Sequence, residues 1–351
     1  TPSKGQQLAV EYLVNHYKNL GIPSVKNDSY LQGVPLQLED KPNISLNISN
    51  QKFVYYQDYI SYANGLDRNY ESVEIIFAGY GIDDPAYSDY LNIDVKNKIV
   101  VAIGGEPLDE NENYFINGNS KSKWSNSREE IGLKKSIAKN KGAQALILVD
   151  DYLFRRYKSR FQYSDSGRGE KRMTLGNDEE NNFQVLLFSE KHKNFFSRES
   201  LSLNMTFNKN IQSFTADNVA AIIKGSEFPN EYIILTAHLD HVLPYNGEIY
   251  NGADDNGSGT VAMLEIAESF ALAKKLGKEP KRSIVFLHVT AEERGLLGSK
   301  YYADHEPLVP IKQTVANLNM DMMGRADPER GVRNLNYVYI IGSDILSDDL
   351  H

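Results

Sequence analysis

From Asp217 onward, apolar segments of strand length alternate with helix-like segments. The strand-like segments are "NVAAII", "EYIILTAH", "RSIVFLHVT", "VANLNMD" and "YVYIIG". Nearly continuous apolar strands separated by helices predict an α/β fold, with a mostly parallel mixed sheet flanked by helices on both faces. Ligands of such sheets bind beyond the carboxyl ends of the strands, so we expect function at that edge.

The N-terminal residues predict one amphipathic helix. Ala9, Leu13 and Tyr17 recur at helical spacing, Gly21 stands just past the expected end, and Pro23 forbids continuation. The Asn-rich stretch that follows contains short alternating pieces, "SLNIS" and "KFVYY", which are typical of hairpin strands.

The middle of the chain predicts a compact, β-rich accessory domain. Its strand candidates are "VEIIFAGYG", "KIVVAIGG", "QALILVD" and "QVLLFS", with a helix expected at "SREEIGLKKSIAKNKGA" and polar loops over residues 105–125 and 155–182. The chain is therefore expected to divide into residues 1–65, 66–205 and 206–351.

Composition excludes several classes of protein. The net charge is −9 without a dense block of Lys or Arg, which argues against a nucleic-acid partner. No apolar run reaches the length of about 20 residues that a transmembrane helix needs. Because the chain has no cysteine, any metal must be held by His, Asp or Glu. The localisation stays open, with export to the periplasm or medium slightly favoured.

Metal-type side chains collect at the ends of three predicted strands and in one glycine-rich loop. These residues are His238 and Asp240 after the first strand, Glu292 and Glu293 after the second, Asp321 after the third, and Asp254 and Asp255 in the loop "NGADDNGSG". Since the strands bring these ends to one edge, the side chains are expected to share one crevice.

Each cluster alone has a structural explanation. A His-x-Asp pair can be solvated, adjacent glutamates can complement a helix dipole, and loop aspartates can cap a helix or a turn. Together, however, so many acids in one crevice repel one another unless cations lie among them. The set therefore predicts a metal centre, with zinc favoured and a carboxylate able to bridge two ions about 3.5 to 4 Å apart.

Two other histidines, His241 and His288, lie near these clusters in the sequence and are predicted to occupy different positions. His288 lies inside the apolar strand "VFLHV" and is predicted to be a core residue. His241 follows the His-x-Asp pair directly and is ambiguous: its position is compatible with lining the cleft, but it is not predicted as a metal ligand.

The motifs "TAHLDH", "YNGADDNGSGTVAMLEIA", "TAEERGLLGSKYY" and "NLNMDMMGR" resemble, in order and spacing, those of the co-catalytic di-zinc aminopeptidases of clan MH, whose relatives include glutamate carboxypeptidases. Residues 66–205 also resemble the protease-associated domain inserted in many members, through "FAGYGIDDP", "KIVVAIGG" and "KGAQALILV".

The resemblance implies a role for each matched residue. His238 and Asp321 would hold one zinc, Glu293 the other, and Asp255 would bridge the two ions. Glu292 would be the general base, and Asp240 would orient His238. The family's second zinc has a further histidine, which is expected beyond His351 because the C-terminal part of the catalytic domain is expected to be missing.

The implied activity is a zinc-dependent exopeptidase, most simply an aminopeptidase that attacks peptides with a water bridging two zincs and activated by Glu292. Two alternatives stay open: an inactive receptor-like or binding protein of the same fold, and a single-zinc glutaminyl cyclase-like enzyme. The preferred N-terminal residue and the oligomeric state are not predicted.

Overall fold

The structure is a computed structural model that describes residues 3–26, 28–63, 67–118, 120–127, 129–166, 171–176, 183–242, 248–327 and 337–342. In those ranges the helices are α1 (Lys4–Leu20), α2 (Glu130–Asn140), α3 (Asp151–Asp165), α4 (Lys193–Phe196), α5 (Gly259–Lys275) and α6 (Leu297–Lys300). The strands are β1 (Leu31–Glu39), β2 (Asn43–Ile48), β3 (Gln51–Phe53), β4 (Tyr59–Ala63), β5 (Arg68–Phe77), β6 (Asp83–Asp84), β7 (Tyr87–Ser88), β8 (Ile99–Ile103), β9 (Ala145–Val149), β10 (Arg172–Leu175), β11 (Gln184–Phe188), β12 (Ser202–Asn208), β13 (Ile211–Ile223), β14 (Phe228–His238), β15 (Arg282–Val289) and β16 (Thr314–Asn319).

The chain forms two compact units. The first contains residues 1–37, 173–176 and 213–351, and the second contains residues 38–172 and 177–212. The sequence predicts that residues 38–65 belong to the N-terminal segment 1–65, separate from residues 66–205. In the structure residues 38–65 belong to the second unit instead. The reason is strand pairing, because β2 pairs with β12 and β3, and β4 pairs with β11.

The first unit is built on a mixed sheet with the order β10-β1-β13-β15-β14-β16. Strand β14 runs parallel to β15 and β16, whereas β13 runs antiparallel to β15. On one face Phe286 lies in a buried cluster with Leu13 of α1 and Met263 of α5. On the other face Leu287 clusters with Tyr302. The predicted α/β class with a mixed sheet is therefore confirmed.

Helix α1 has the ends that the sequence predicts. Ser3 caps its start by accepting the Gln6 N–H, and Gly21 ends it in the left-handed region at φ 72°. Leu13 and Tyr17 are buried against the sheet. The predicted core position of His288 is also confirmed, since its side chain is fully buried.

The second unit is built on a sheet with the order β3-β2-β12-β5-β8-β9-β11-β4. Strands β5, β8, β9 and β11 form its parallel part, and β9 and β11 are buried along their whole length. Lys134 of α2 is fully buried, and its Nζ lies 2.7 Å from Glu130 Oε1. No helix in the described part of the chain is both long and apolar enough to cross a membrane.

The prediction of a loop over residues 155–182 was wrong for its first part. Residues 151–165 form α3, which begins after Asp150, whose Oδ1 accepts the Leu153 N–H. Phe154 and Phe161 are buried at helical spacing. The apolar periodicity of this helix is weak in the sequence, because charged and hydroxyl side chains occupy most of its positions.

The prediction of a strand at "YVYIIG" was also wrong. Residues 337–342 contain no strand, and Ile341 is 95% exposed. A strand requires a partner, and within the described ranges β16 pairs only with β14. The hydroxyls of Tyr337 and Tyr339 contact Asp327 instead.

Candidate metal centre

Strand β14 carries His238 to the carboxyl edge of the sheet. The side chain is only 2% exposed, because the end of β14 is flanked by β15 and β16. His238 Nδ1 lies 3.1 Å from the backbone carbonyl oxygen of Asp240. A carbonyl can only accept, so this contact places the proton on Nδ1 and leaves the Nε2 lone pair directed at the acids.

The Nε2 atom of His238 faces two carboxylates. It lies 3.1 Å from Asp255 Oδ1 and 3.7 Å from Asp321 Oδ1, and all three residues offer ligand atoms within 4.8 Å of one another. Nε2 is buried without a hydrogen-bond partner among the described residues, since the short contact to Asp255 lacks hydrogen-bond geometry. Ligand atoms of one tetrahedral zinc are about 3.3 Å apart, so these side chains fit such an ion.

Asp255 is free of any capping role in the glycine-rich loop. The neighbouring Asn256 takes that role instead, because its Oδ1 accepts the Gly259 N–H and its Nδ2 donates to the Met320 carbonyl. Asn256 is 3% exposed, whereas the Asp255 side chain is 46% exposed. Sequence reasoning missed Asn256, although an Asn two residues before "SG" at a helix start is a capping signal.

The start of α5 is fixed against the site from two sides. Thr260 Oγ1 donates to the His238 carbonyl, at 3.0 Å. A Cβ on Gly259 would lie 2.3 Å from Asn256 Oδ1 and 2.4 Å from the Met320 carbonyl oxygen. Only glycine therefore allows the helix to approach the end of β16 this closely.

Asp254 has a structural position. Its Oδ1 accepts the Gly324 N–H at 2.9 Å, and its backbone carbonyl accepts the Ser258 hydroxyl at 2.7 Å. Arg325 Nε lies 3.5 Å from its Oδ2. Asp254 thus joins the loop before α5 to the segment after β16.

Strand β15 ends in the segment that carries Glu292 and Glu293. Ala291, directly before them, has φ 54°, a left-handed conformation that costs energy for a residue with a Cβ. The Asp240 carboxylate holds the turn by accepting the backbone N–H of Glu292 at 2.9 Å and of Glu293 at 3.2 Å. Asp240 was expected to orient His238, and its Oδ1 lies 3.9 Å from Nδ1. Sequence reasoning missed its contacts to the backbone.

Strand β16 brings Asp321 to the same place. Thr236 of β14 donates from Oγ1 to Asn319 Oδ1 at 2.9 Å, and its carbonyl accepts the Met320 N–H at 2.8 Å. Asp321 therefore follows the strand end beside His238. The next residue, Met322, has φ 49° and turns the chain away.

Both burial and mutual repulsion act on these acids. Burial is the largest cause that raises the pKa of Glu292, Glu293 and Asp321 above their ordinary values, and neighbouring carboxylates raise it further. Burial also raises the pKa of Asp240, against the hydrogen bonds from the two glutamate N–H groups. A divalent cation would oppose these shifts by stabilising the charged forms.

Glu292 lies beside the three clustered residues. Its Oε2 is 3.8 Å from His238 Nε2. Glu293 is directed toward His241, with Oε1 4.0 Å from His241 Nδ1. The structure therefore gathers His238, Asp255 and Asp321 most tightly, with Glu292 and Glu293 at the rim.

Among the cavities lined by the described residues of the first unit, three bear on the location of the site. One of about 340 Å³ adjoins His238 and Glu292 and is walled by Leu287 and Val289. A cleft of about 660 Å³ adjoins Asp255 and Glu293. A larger one of about 800 Å³, lined by Lys275 among others, contains none of the predicted site residues, so its size does not mark the site.

Comparisons with known proteins agree with this location. Residues 218–340 match the model of Peptidase family M28. The chain is similar to aminopeptidase YwaD of Bacillus subtilis, with 39% identity over 111 residues, covering 31% of this chain and 22% of YwaD. It is also similar to the probable glutamate carboxypeptidase AMP1 of Arabidopsis thaliana, with 38% identity over 119 residues, covering 34% of this chain and 16% of AMP1.

Among solved structures, an aminopeptidase from Aneurinibacillus sp. strain AM-1 aligns with 91% of this chain and 65% of its own, with a TM-score of 0.45 and 20% identity. The chain thus spans less than a quarter of the two curated relatives and under two thirds of this structure. All the predicted site residues lie within the segment that matches the family model. Residues 218–340 are therefore similar to peptidase family M28.

Proposed function

We propose that this chain is a zinc-dependent aminopeptidase that hydrolyses N-terminal residues from peptides. One observation carries the proposal: the buried Nε2 of His238 has no hydrogen-bond partner among the described residues and faces the carboxylates of Asp255 and Asp321. A buried imidazole nitrogen without a partner is costly, and a shared cation removes that cost.

In this proposal His238 and Asp321 would hold one zinc, Glu293 would hold a second, and Asp255 would contribute a ligand to both. Asp255 suits the shared position because it is half-exposed and makes no capping hydrogen bond. Zinc supplies a Lewis acid that polarises the scissile carbonyl and lowers the pKa of water.

Glu292 is the proposed general base. Its carboxylate lies 3.8 Å from His238 Nε2, close enough to reach a water beside the cluster. Burial raises its pKa toward the working pH, which favours proton transfer in both directions. Glu292 takes the proton from the attacking water and delivers it to the leaving amine, while Asp240 fixes its backbone.

The second unit is proposed to be a protease-associated domain. Two of the three segments that carry this resemblance contain β8 and β9, and the third begins at Phe77, the last residue of β5. These three strands lie side by side in the parallel part of the sheet.

The test is hydrolysis of aminoacyl-anilides with and without a chelator. The chain should be active, lose activity with the chelator and regain it with zinc. Glu292→Gln should lower kcat by about 10² to 10⁴ and retain zinc, whereas Glu268→Gln, an exposed position on α5, should change neither.

Three results would contradict the proposal. Chelator-resistant hydrolysis would exclude a metal role, and near-normal turnover by Glu292→Gln would exclude that base. Zinc binding without hydrolysis would favour a binding protein, or a cyclase if N-terminal glutaminyl peptides are converted instead.

A further inference from the structure

The cavity of about 800 Å³ in the first unit lies toward the opposite end of β14 from His238. Tyr232 lines it, and His238 follows six residues later along the strand, which corresponds to about 20 Å. The buried side chains of Ile22 and Ile222 form part of its walls, and the exposed Pro310 among its lining residues leaves it open to solvent. It therefore has the size and apolar surface of a binding site that is separate from the metal centre.

Three lysines and one acid supply the charged side chains of this cavity, which we call the basic groove. Lys274 Nζ lies 3.7 Å from the acid, Glu279 Oε1, whereas Lys224 and Lys275 have no carboxylate partner in the described ranges. Lysines in the last turn of α5 complement the helix dipole, but Lys224 follows β13 directly and has no such role. Although the whole chain has a net charge of −9, the basic groove thus fits an apolar ligand that carries negative charge.

One loop of the second unit presents that combination of apolar and acidic side chains to solvent. Residues 106–118, which we call the acidic loop, contain four acids and no Lys or Arg. Leu108 is 51% exposed and Phe115 is 54% exposed. Glu110 and Glu112 are exposed as well and have no ion-pair partner among the residues that the structure describes. Large apolar side chains grouped on a surface beside polar ones are typical of a contact with a partner.

Local contacts hold the acidic loop in a defined conformation. Asp109 Oδ1 accepts the Asn113 N–H at 2.8 Å, and the Phe115 N–H donates to the Pro107 carbonyl oxygen at 3.0 Å. The Phe115 ring meets the ring of Tyr87 edge-on, with centroids 5.6 Å apart. Because these contacts already order the exposed side chains, the loop loses little conformational entropy when it binds a partner.

We propose that the acidic loop of one copy of this chain docks into the basic groove of a second copy. The two apolar side chains of the loop fill the groove, and its unpaired glutamates approach Lys224 and Lys275. Since the two surfaces differ, each contact leaves one loop and one groove free, so association continues into a ring or an open filament. The inference is independent of the proposed function, because neither surface contains a predicted site residue.

The experiment is sedimentation velocity of this chain over a series of concentrations. The unsubstituted chain should form dimers and then larger species as its concentration rises. A loop variant, Leu108→Ser with Phe115→Ser, should raise the dissociation constant at least about tenfold, as is usual when hot-spot side chains are truncated. A groove variant, Lys224→Glu with Lys275→Glu, should do the same, because it places like charges opposite the acidic loop.

The control substitutions lie outside both surfaces. Leu91→Ser removes an apolar side chain that is 80% exposed, and Lys52→Glu reverses an exposed charge. Both variants should associate like the unsubstituted chain. Glu112→Lys, a single exposed change within the acidic loop, should weaken association as the loop variant does. Circular dichroism establishes that each variant is folded.

Mixing the loop variant with the groove variant tests the pairing itself. The groove variant keeps an intact loop and the loop variant keeps an intact groove, so an equimolar mixture should form a dimer that grows no further. A mixture that stays monomeric while the unsubstituted chain associates would overturn the proposal. An unsubstituted chain that stays monomeric at every concentration would overturn it too, as would variants that associate as tightly as the unsubstituted chain. None of these results bears on the proposed aminopeptidase activity.

Discussion

Oδ1 of Asp240 accepts a hydrogen bond of 2.9 Å from the backbone N–H of Glu292. Its other oxygen accepts the next N–H, from Glu293, at 3.2 Å. One carboxylate therefore fixes the turn that presents both glutamates.

Asp240→Asn tests this arrangement. Asparagine offers one acceptor oxygen, and its amide group would oppose the second backbone N–H, so the turn should shift. We expect kcat to fall about 10- to 100-fold, as for other partners that orient metal-site residues, with a smaller change in KM. Asp304→Asn, an exposed position, should leave kcat unchanged. Unaltered kinetics in Asp240→Asn would show that the turn holds without this carboxylate.

Substitutions of Asp254 and Asp255, the two aspartates of the glycine-rich loop, should have different effects on zinc affinity. Asp255→Ala removes a ligand atom. We expect zinc affinity to fall by more than about 100-fold, which is the upper end of the loss when a residue that only orients a metal ligand is removed. Asp254→Asn keeps an acceptor for the Gly324 N–H and should retain zinc. Competition with a chromophoric chelator measures both constants. Equal zinc affinity in Asp255→Ala and the parent chain would exclude Asp255 as a ligand.

Gly259→Ala should destabilise the first unit. The added Cβ would meet Asn256 Oδ1 and the Met320 carbonyl below 2.5 Å, so the helix start must move away from β16. Overpacking of this kind costs about 1 to 3 kcal/mol, and displacement of Asn256 should also weaken zinc binding.

Gly5→Ala in α1 is the matched control for that change. A Cβ there meets only Ser3 Oγ at 3.7 Å, an ordinary contact. It should be neutral or stabilise by up to about 1 kcal/mol, since alanine favours the helix. Urea unfolding followed by circular dichroism compares the two, and equal midpoints would refute the steric argument.

Stability of the first unit should fall in mild acid through His288. Its Nε2 lies 2.8 Å from the Tyr17 hydroxyl, and burial, with a smaller effect of His16, lowers the pKa of His288 to about 3. The unfolded chain takes up this proton near pH 6.5. Between those values the unfolded state binds more protons, so stability rises with pH in that window, by up to about 1.4 kcal/mol per unit.

His288→Gln should make this dependence shallower between pH 4 and 6, because glutamine can accept from Tyr17 without titrating. His305→Gln removes an exposed histidine and should leave the slope unchanged. Unfolding free energies measured in urea across that range give the slopes. An identical slope in His288→Gln would assign the acid sensitivity to other groups.

The sequence predicted the sheet of the first unit well because its signals are local. The ends of β14 and β15 are apolar and buried, and His238, Glu292 and Glu293 lie at or just after those ends. Asp321 follows β16, and Asp255 lies in the glycine-rich loop before α5. The edge where His238, Asp255 and Asp321 meet could therefore be predicted before any coordinate was known.

Features that depend on distant contacts could not be predicted. The backbone hydrogen bonds of Asp240, the capping by Asn256 and the contact of Thr260 with the His238 carbonyl all join separate segments. Helix α3 was missed because its buried aromatic side chains are few among polar ones. Residues 337–342 were predicted to form a strand because they are apolar and β-branched or aromatic. They form none, since no strand of the described ranges pairs with them.

The pairing of β14 with β16 has a consequence for folding. His238 and Asp321 are adjacent only when those strands are in register, so the unfolded chain offers no comparable pocket for zinc. Any ion bound here is therefore a ligand of the native state alone. At 100 times its dissociation constant it would add about 2.7 kcal/mol to the unfolding free energy. The concentration of free zinc would then determine the melting temperature of the chain as well as its activity.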